Sequence, residues 1–180
     1  MRLDNQLIFK AGIFQDWQEN KGNFKSRMIM ILFRLSSLVY QHKILRYLFF
    51  WYLLFYKFLI GWVLNIGLNS GARIGKGLKI QYGFGTVISS KTVIGENCNL
   101  RQATNISCKI TETGTCSAAP VIGNNVDIGV NVVIIGDIKI GNNVVIGAGS
   151  VVTKDVEDNS VMVGNPAILL KKKYIFPDHT

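Results

Sequence analysis

Histidine is nearly absent: His42 and His179 are the only two in 180 residues. The side chain that most readily moves a proton near neutral pH is therefore confined to two places. Cysteine is also sparse. Cys98, Cys108 and Cys116 show no CxxC spacing, which excludes a disulfide framework and points to a reducing, cytoplasmic setting. Acidic residues number 11 against 20 Lys and Arg, for a net charge of +9. That excess suits an anionic partner, such as a phosphate-bearing cofactor or an acidic membrane surface. Nucleic acid is not indicated, because there is no nucleic-acid motif and no basic stripe with interleaved aromatics. A secretory signal is not expected either, since Asp4, Gln15 and Asp16 precede the first long apolar run.

What the chain does have is a beat of six. Ile122, Ile128, Ile134, Ile140, Ile146 and Val152 fall six apart, and Gly123, Gly129, Gly141 and Gly147 follow four of them. Helices and ordinary sheets lack that period. A sandwich of short strands would show turns every ~8–12 residues with alternating polarity. A left-handed parallel β-helix has the period, because each side of its triangular coil takes about six residues. One apolar side chain per side is expected to point into the prism, buried only by stacking of coils. The glycines suit the corners, where a Cβ would clash. The expected fold is mainly β, a left-handed parallel β-helix preceded by α-helices.

Taken in order, residues 1–70 read as a helical, strongly apolar region, 71–166 as the β-helix and 167–180 as a basic tail. The first 25 residues are mixed and polar, with Phe9, Phe14 and Trp17 scattered among them, and 26–41 read as a helix with Ser26 as N-cap. Between Tyr47 and Ile66 the only clearly polar side chains are Lys57 and Asn65. That length leaves three readings open: a membrane span, packed helices, or a helix on the membrane surface. The six-residue phase starts at Ile74 and Ile80. It skips two residues, then resumes through Ile88, Ile94, Leu100 and Ile106. The excess spacing to Ile122 places an extruded loop within 107–120. After Gly164-Asn165-Pro166-Ala167 comes a basic run, Lys171-Lys172-Lys173.

Several of these stretches carry a family resemblance. Asp16-Trp17 with Asn20, Asn23, Lys25 and Phe33-Arg34-Leu35 is similar to the helical lead-in of serine acetyltransferase-like enzymes of capsule and exopolysaccharide gene sets. Ile74-Gly75-Lys76-Gly77-Leu78 is similar to their first coil. Ile146 to Asp155 and Gly164 to Ala167 resemble their C-terminal signature. The chain thus resembles the hexapeptide-repeat acyltransferases. The resemblance implies a homotrimer that holds acetyl-CoA between neighbouring β-helices and passes the acetyl group to a hydroxyl or amine. It implies that Ala148, Thr153 and Lys154 hold the pantetheine arm and phosphates, and that Lys171 lies near the phosphates.

The chain also departs from the pattern. The family's histidine, which would take the acceptor's proton, falls on Tyr82 in the string Tyr82-Gly83-Phe84-Gly85. The Asp that precedes it in serine-specific members is Gln81, and a second His is Ala119. Free tyrosine titrates near ~10 and is a poor base at neutral pH. The candidate catalytic groups are therefore Tyr82 and Asp127, with Glu112 in the loop as another base. A covalent route through Cys108 or Cys116 is chemically open. The expected activity is acetyl transfer to a sugar or polysaccharide precursor. A catalytically silent binding subunit and a serine acetyltransferase are the alternatives.

Overall fold

The computed structural model describes residues 12–112 and 114–172; Phe9, Lys173 and His179 lie outside the described residues. From Gly67 onward the chain winds as a left-handed parallel β-helix with three faces. Face one stacks Gly67–Leu68, Val87–Ile88, Asn105–Ser107, Val133–Ile135 and Val151–Val152. Face two stacks Arg73–Ile74, Val93–Ile94, Val121–Ile122 and Lys139–Ile140. Face three stacks Lys79–Gln81, Asn99–Arg101, Asp127–Ile128, Val145–Ile146 and Ser160–Val163. Every coil-to-coil pairing is parallel and in phase, as in Ile88 to Ile106 to Ile134 to Val152.

The six-residue beat is the interior. Ile94, Ile106 and Ile134 have no exposed surface, and Ile74, Ile80, Leu100, Ile128 and Ile146 are at most 2% exposed. Burying each such side chain contributes about 1.5–3 kcal/mol. The expectation of one inward residue per side falls short, because the residue two places earlier is buried as well. Leu78, Thr86, Thr92, Cys98, Thr104, Val126, Val132, Val144 and Ser150 form this second column. It lies next to the corners and mixes Leu, Val and Cys with Thr and Ser, whose hydroxyls can bond corner carbonyls, as Thr104 donates to the Arg101 carbonyl at 2.9 Å. Burial pushes the Cys98 thiol up to about 11, which makes it an inert packing group.

Close stacking at the corners limits what can stand there. A Cβ on Gly95 would lie 2.5 Å from the Gly123 carbonyl oxygen and 2.6 Å from its carbon. Neither atom is free to move without shifting the coil above. Gly95→Ala is expected to destabilise the fold by about 1–3 kcal/mol, as overpacking does, read from the urea midpoint. An unchanged midpoint would show that the coils are looser than described.

The N-terminal region clamps the first coil. Helix α1 spans Phe24–Gln41, and Asn23 is its cap, accepting from the Ser26 backbone N–H. The sequence pointed instead to Ser26 as cap. That side chain is taken up elsewhere: its hydroxyl donates to the Ile80 carbonyl at 2.6 Å. Face three begins with Lys79–Gln81, whose outer edge no strand covers. Side chains cover it. Asn20 donates to the Leu78 carbonyl at 2.8 Å and accepts from the Ile80 N–H at 3.0 Å. Arg34, ion-paired with Asp16 at 2.8 Å, donates to the carbonyls of Ile74 and Gly75.

Two short helices follow, α2 (Lys43–Leu48) and α3 (Phe50–Tyr56), and then a π-helical turn, Lys57–Val63. No helix among the described residues is long and apolar enough to cross a membrane. The inner side of this segment packs on the protein. Tyr52 donates to the Leu32 carbonyl and Tyr56 to the Leu68 carbonyl, and burial raises both phenols, Tyr52 to about 12. Two boundaries differ from the sequence expectation. The first coil already begins at Gly67–Leu68, ahead of residue 71. Ile168–Lys172, expected as tail, is a strand that returns antiparallel along Ser160–Val163.

Candidate active site

The two residues skipped by the repeat are Tyr82 and Gly83. Gln81 pairs with Arg101, and the Ala103 N–H then bonds the Phe84 carbonyl, so Phe84 resumes the stack. At the corner between face three and face one Tyr82 stands out, while Gly83 turns inward and is buried against Ile80 and Ile66. Tyr82 takes a left-handed backbone conformation (φ 63°) and is 65% exposed. It lines a hollow of about 310 Å³ with Asn20, Asn23, Lys21 and Lys79.

Above it the same corner rises through Gln102, Val130 and Ala148, as the hydrogen bonds Asn131 N–H to Gln102 O and Gly149 N–H to Val130 O show. Ala148 is exposed on this edge. At the ~4.8 Å spacing of stacked strands, three coils separate it from the Tyr82 level, about 14 Å. A thin chain laid along this edge would run from one to the other.

Thr153 and Lys154 are exposed at the next corner, between face one and face two. The extruded loop leaves from that corner, two coils earlier. Its ends are closed by Ser117 N–H to Lys109 O and Thr111 N–H to Thr115 O. Cys108 and Cys116 are joined in a disulfide, with Cα atoms 5.7 Å apart. This corrects the expectation of unpaired cysteines: the hairpin closes an eight-residue separation that their sequence spacing does not reveal. It also removes both thiols as nucleophiles.

Asp127 is on face three, and the structure does not bring it to Tyr82. Its Oδ1 accepts from Arg101 Nη1 at 2.6 Å and from Asn99 Nδ2 at 2.7 Å. Gln81 in turn donates to Asn99 Oδ1 at 3.1 Å. Asp127 thus anchors a polar ladder across three coils through its Oδ1, while Oδ2 has only a long contact of 3.5 Å to Arg101. Ala119 is buried at the end of the loop, and Glu112 is exposed on the loop. Lys171 is exposed on the last strand opposite Val161. Its neighbour Lys172 bonds Glu157 at 2.6 Å, which holds that carboxylate below its usual range. His42 is exposed between α1 and α2.

Asp127 and Lys171 lie on face three, and the other sequence-predicted residues divide into two groups. Tyr82 and Ala148 share one edge; Thr153, Lys154 and the loop share the next. Face one separates them. Sequence reading missed the roles of Gln81, Asn99 and Arg101, although the vertical register of strands 79–81 and 99–101 follows from the six-residue beat. It also missed a column of asparagines at the third corner. Asn97, Asn125, Asn143 and Asn159 all have φ between 54° and 60°, a conformation asparagine tolerates better than most residues. Asn125 donates to Asn143 at 3.1 Å, and Asn143 to Asn159 at 3.0 Å.

Comparison with known proteins agrees with this architecture. The bacterial transferase hexapeptide family (six repeats) matches residues 119–154. Serine acetyltransferase 4 of Arabidopsis thaliana is 39% identical over 108 residues, covering 60% of this chain and 30% of that protein. This chain thus aligns with about a third of the plant relative's length. WcaB of Escherichia coli, named as a putative colanic acid biosynthesis acetyltransferase, is 33% identical over 115 residues, 64% of this chain and 69% of its own. Among solved structures, the soybean serine acetyltransferase apoenzyme superposes with a TM-score of 0.75 at 29% identity, covering 88% of this chain and 67% of its own. The Neisseria gonorrhoeae serine acetyltransferase superposes with a TM-score of 0.78 over 93% of this chain and 68% of its own; at 24% identity that likeness speaks to fold alone.

Proposed function

The chain belongs to the hexapeptide-repeat acyltransferase family, and on that footing we propose that it is a CoA-dependent O-acetyltransferase acting on a sugar hydroxyl of a polysaccharide precursor. The observation that carries this reading is the division of the candidate residues between two edges of one prism. A single chain presents Ala148 on one edge and Thr153 with Lys154 on the next. Parallel packing of copies sets one chain's first edge against its neighbour's second, so a trimer would complete the site between chains. Ile168, Leu169 and Leu170 are each at least half exposed and offer an apolar surface for such packing.

In that groove Ala148 leaves room for the pantetheine arm against backbone. Lys154 and Lys171 are compact charges suited to the phosphates. The acceptor hydroxyl would lie near Tyr82, where Lys21 and Lys79 also line the hollow. Gln81 in place of Asp, and Ala119 in place of His, remove the groups that the family resemblance associates with serine, so a sugar is the better-suited acceptor. A second reading, a catalytically silent subunit, is favoured by one observation: Tyr82 occupies the position of the family's base.

Thiol release from acetyl-CoA, followed with mono- and oligosaccharides and separately with serine, tests the proposal. Saccharide-dependent turnover above the serine rate is expected. Lys154→Ala should raise the KM for acetyl-CoA with kcat little changed, since it removes binding common to ground and transition states. Faster turnover with serine would overturn the acceptor assignment.

A further inference from the structure

The segment from α2 to the π-helical turn is apolar on both sides. Its inner side, Tyr56 and Ile60, is buried. Its outer side is a continuous stripe at helical spacing: Ile44, Tyr47, Trp51, Phe55, Phe58 and Trp62, each between 54% and 90% exposed. Single exposed apolar residues are ordinary, but a contiguous aromatic stripe of this length marks an interaction surface. Lys43, Arg46 and Lys57 are exposed on the same segment.

Charge says what covers it. From Asn20 to Gly95 the chain contains no Asp or Glu; Arg34 is taken up by Asp16 and Lys76 by Glu96, while Lys21, Lys25, Lys43, Arg46, Lys57 and Lys79 are exposed. A second copy docked here would set cation against cation. An anionic bilayer would meet the cations with phosphates and take tryptophan and tyrosine at the level where such rings are favoured. We propose that the stripe from Ile44 to Val63 seats the protein on the surface of an anionic lipid bilayer, without crossing it. The helices lie flat: the stripe enters the headgroup boundary, and Tyr52 and Tyr56 hold the opposite side to α1 and the first coil. Such a seat would bring a lipid-borne acceptor to the first coils.

Vesicle co-sedimentation tests this independently of any acetyl transfer. Binding to phosphatidylcholine vesicles containing about 30% phosphatidylglycerol is expected to exceed binding to pure phosphatidylcholine at least ~10-fold, and to fall in roughly 0.5 M NaCl. Lys43→Glu with Lys57→Glu, and separately Trp51→Ser with Trp62→Ser, should each weaken it ~10-fold or more. All four side chains are exposed, so both variants should keep the wild-type thermal transition. Brominated acyl chains should quench the wild-type tryptophan emission, and much less that of the Trp51/Trp62 variant, which retains Trp17. The proposal is overturned if the wild type ignores the anionic vesicles or if the tryptophan variant binds them unchanged. It is equally overturned if that variant breaks a larger assembly while lipid binding stays intact, since a second copy would then cover the stripe.

Discussion

Asp16→Ala is expected to destabilise the protein by about 3–5 kcal/mol, the cost of stripping one partner from a buried ion pair. Asp16 and Arg34 are 2% and 3% exposed. The carboxylate does more than neutralise the guanidinium. Its Oδ1 also accepts from the Leu78 N–H at 3.0 Å, while Arg34 Nη2 reaches Asp16 Oδ1 at 3.0 Å and the Gly75 carbonyl at 2.7 Å. The substitution leaves a charge without a counterion and a backbone donor without a partner, both out of water. The same groups hold α1 to the corner between faces two and three, so the first coil should loosen with them. Urea unfolding reads the loss. The paired change Asp16→Leu with Arg34→Met should cost far less than Asp16→Ala, because no lone charge remains. A loss under about 1 kcal/mol for Asp16→Ala would mean that the pair is hydrated in solution and does not clamp the coil.

Tyr82→His is expected to raise the rate of acetyl transfer by about 10²-fold or more, the usual worth of a well-placed general base. The position is suited to the exchange. The side chain is on a two-residue excursion, is largely exposed, and faces a hollow bordered by Lys21 and Lys79. Imidazole fits where phenol does without disturbing the stack below. A histidine base would add a rising limb to the pH–rate profile near its ordinary ~6.5. The wild type should lack that limb. A variant slower than the wild type, with no new limb, would show that the phenol itself takes part and that the site is organised around it.

These two residues show how unevenly the molecule can be read from its sequence. The β-helix was legible because its core repeats: Ile122 to Val152 states the period outright, and the structure buries each of those side chains. The second interior column was harder to see. Thr86, Thr104 and Ser150 look like surface residues, and only their place next to the corners buries them. The clamp was visible as a motif but not as a function, since the partners of Asp16 are 18 and 62 residues away. Cys108 and Cys116 pair because a hairpin brings their Cα atoms to 5.7 Å, and nothing in their spacing requires that. At the candidate site, Tyr82 was legible as a substitution in a known string. The engagement of Asp127 by Arg101 was not, because it depends on which strand lies directly above which.

The clamp, the stripe and the two edges serve one central claim, that this scaffold moves acetyl groups from CoA. The most direct measurement is release of free CoA thiol from acetyl-CoA by the purified full-length protein, with and without a saccharide acceptor. Acceptor-dependent release, with the acetyl group recovered as an ester on the sugar, is the predicted result. Binding of acetyl-CoA with no acetylated product from any saccharide or from serine would contradict it and would leave a scaffold that holds the cofactor without using it.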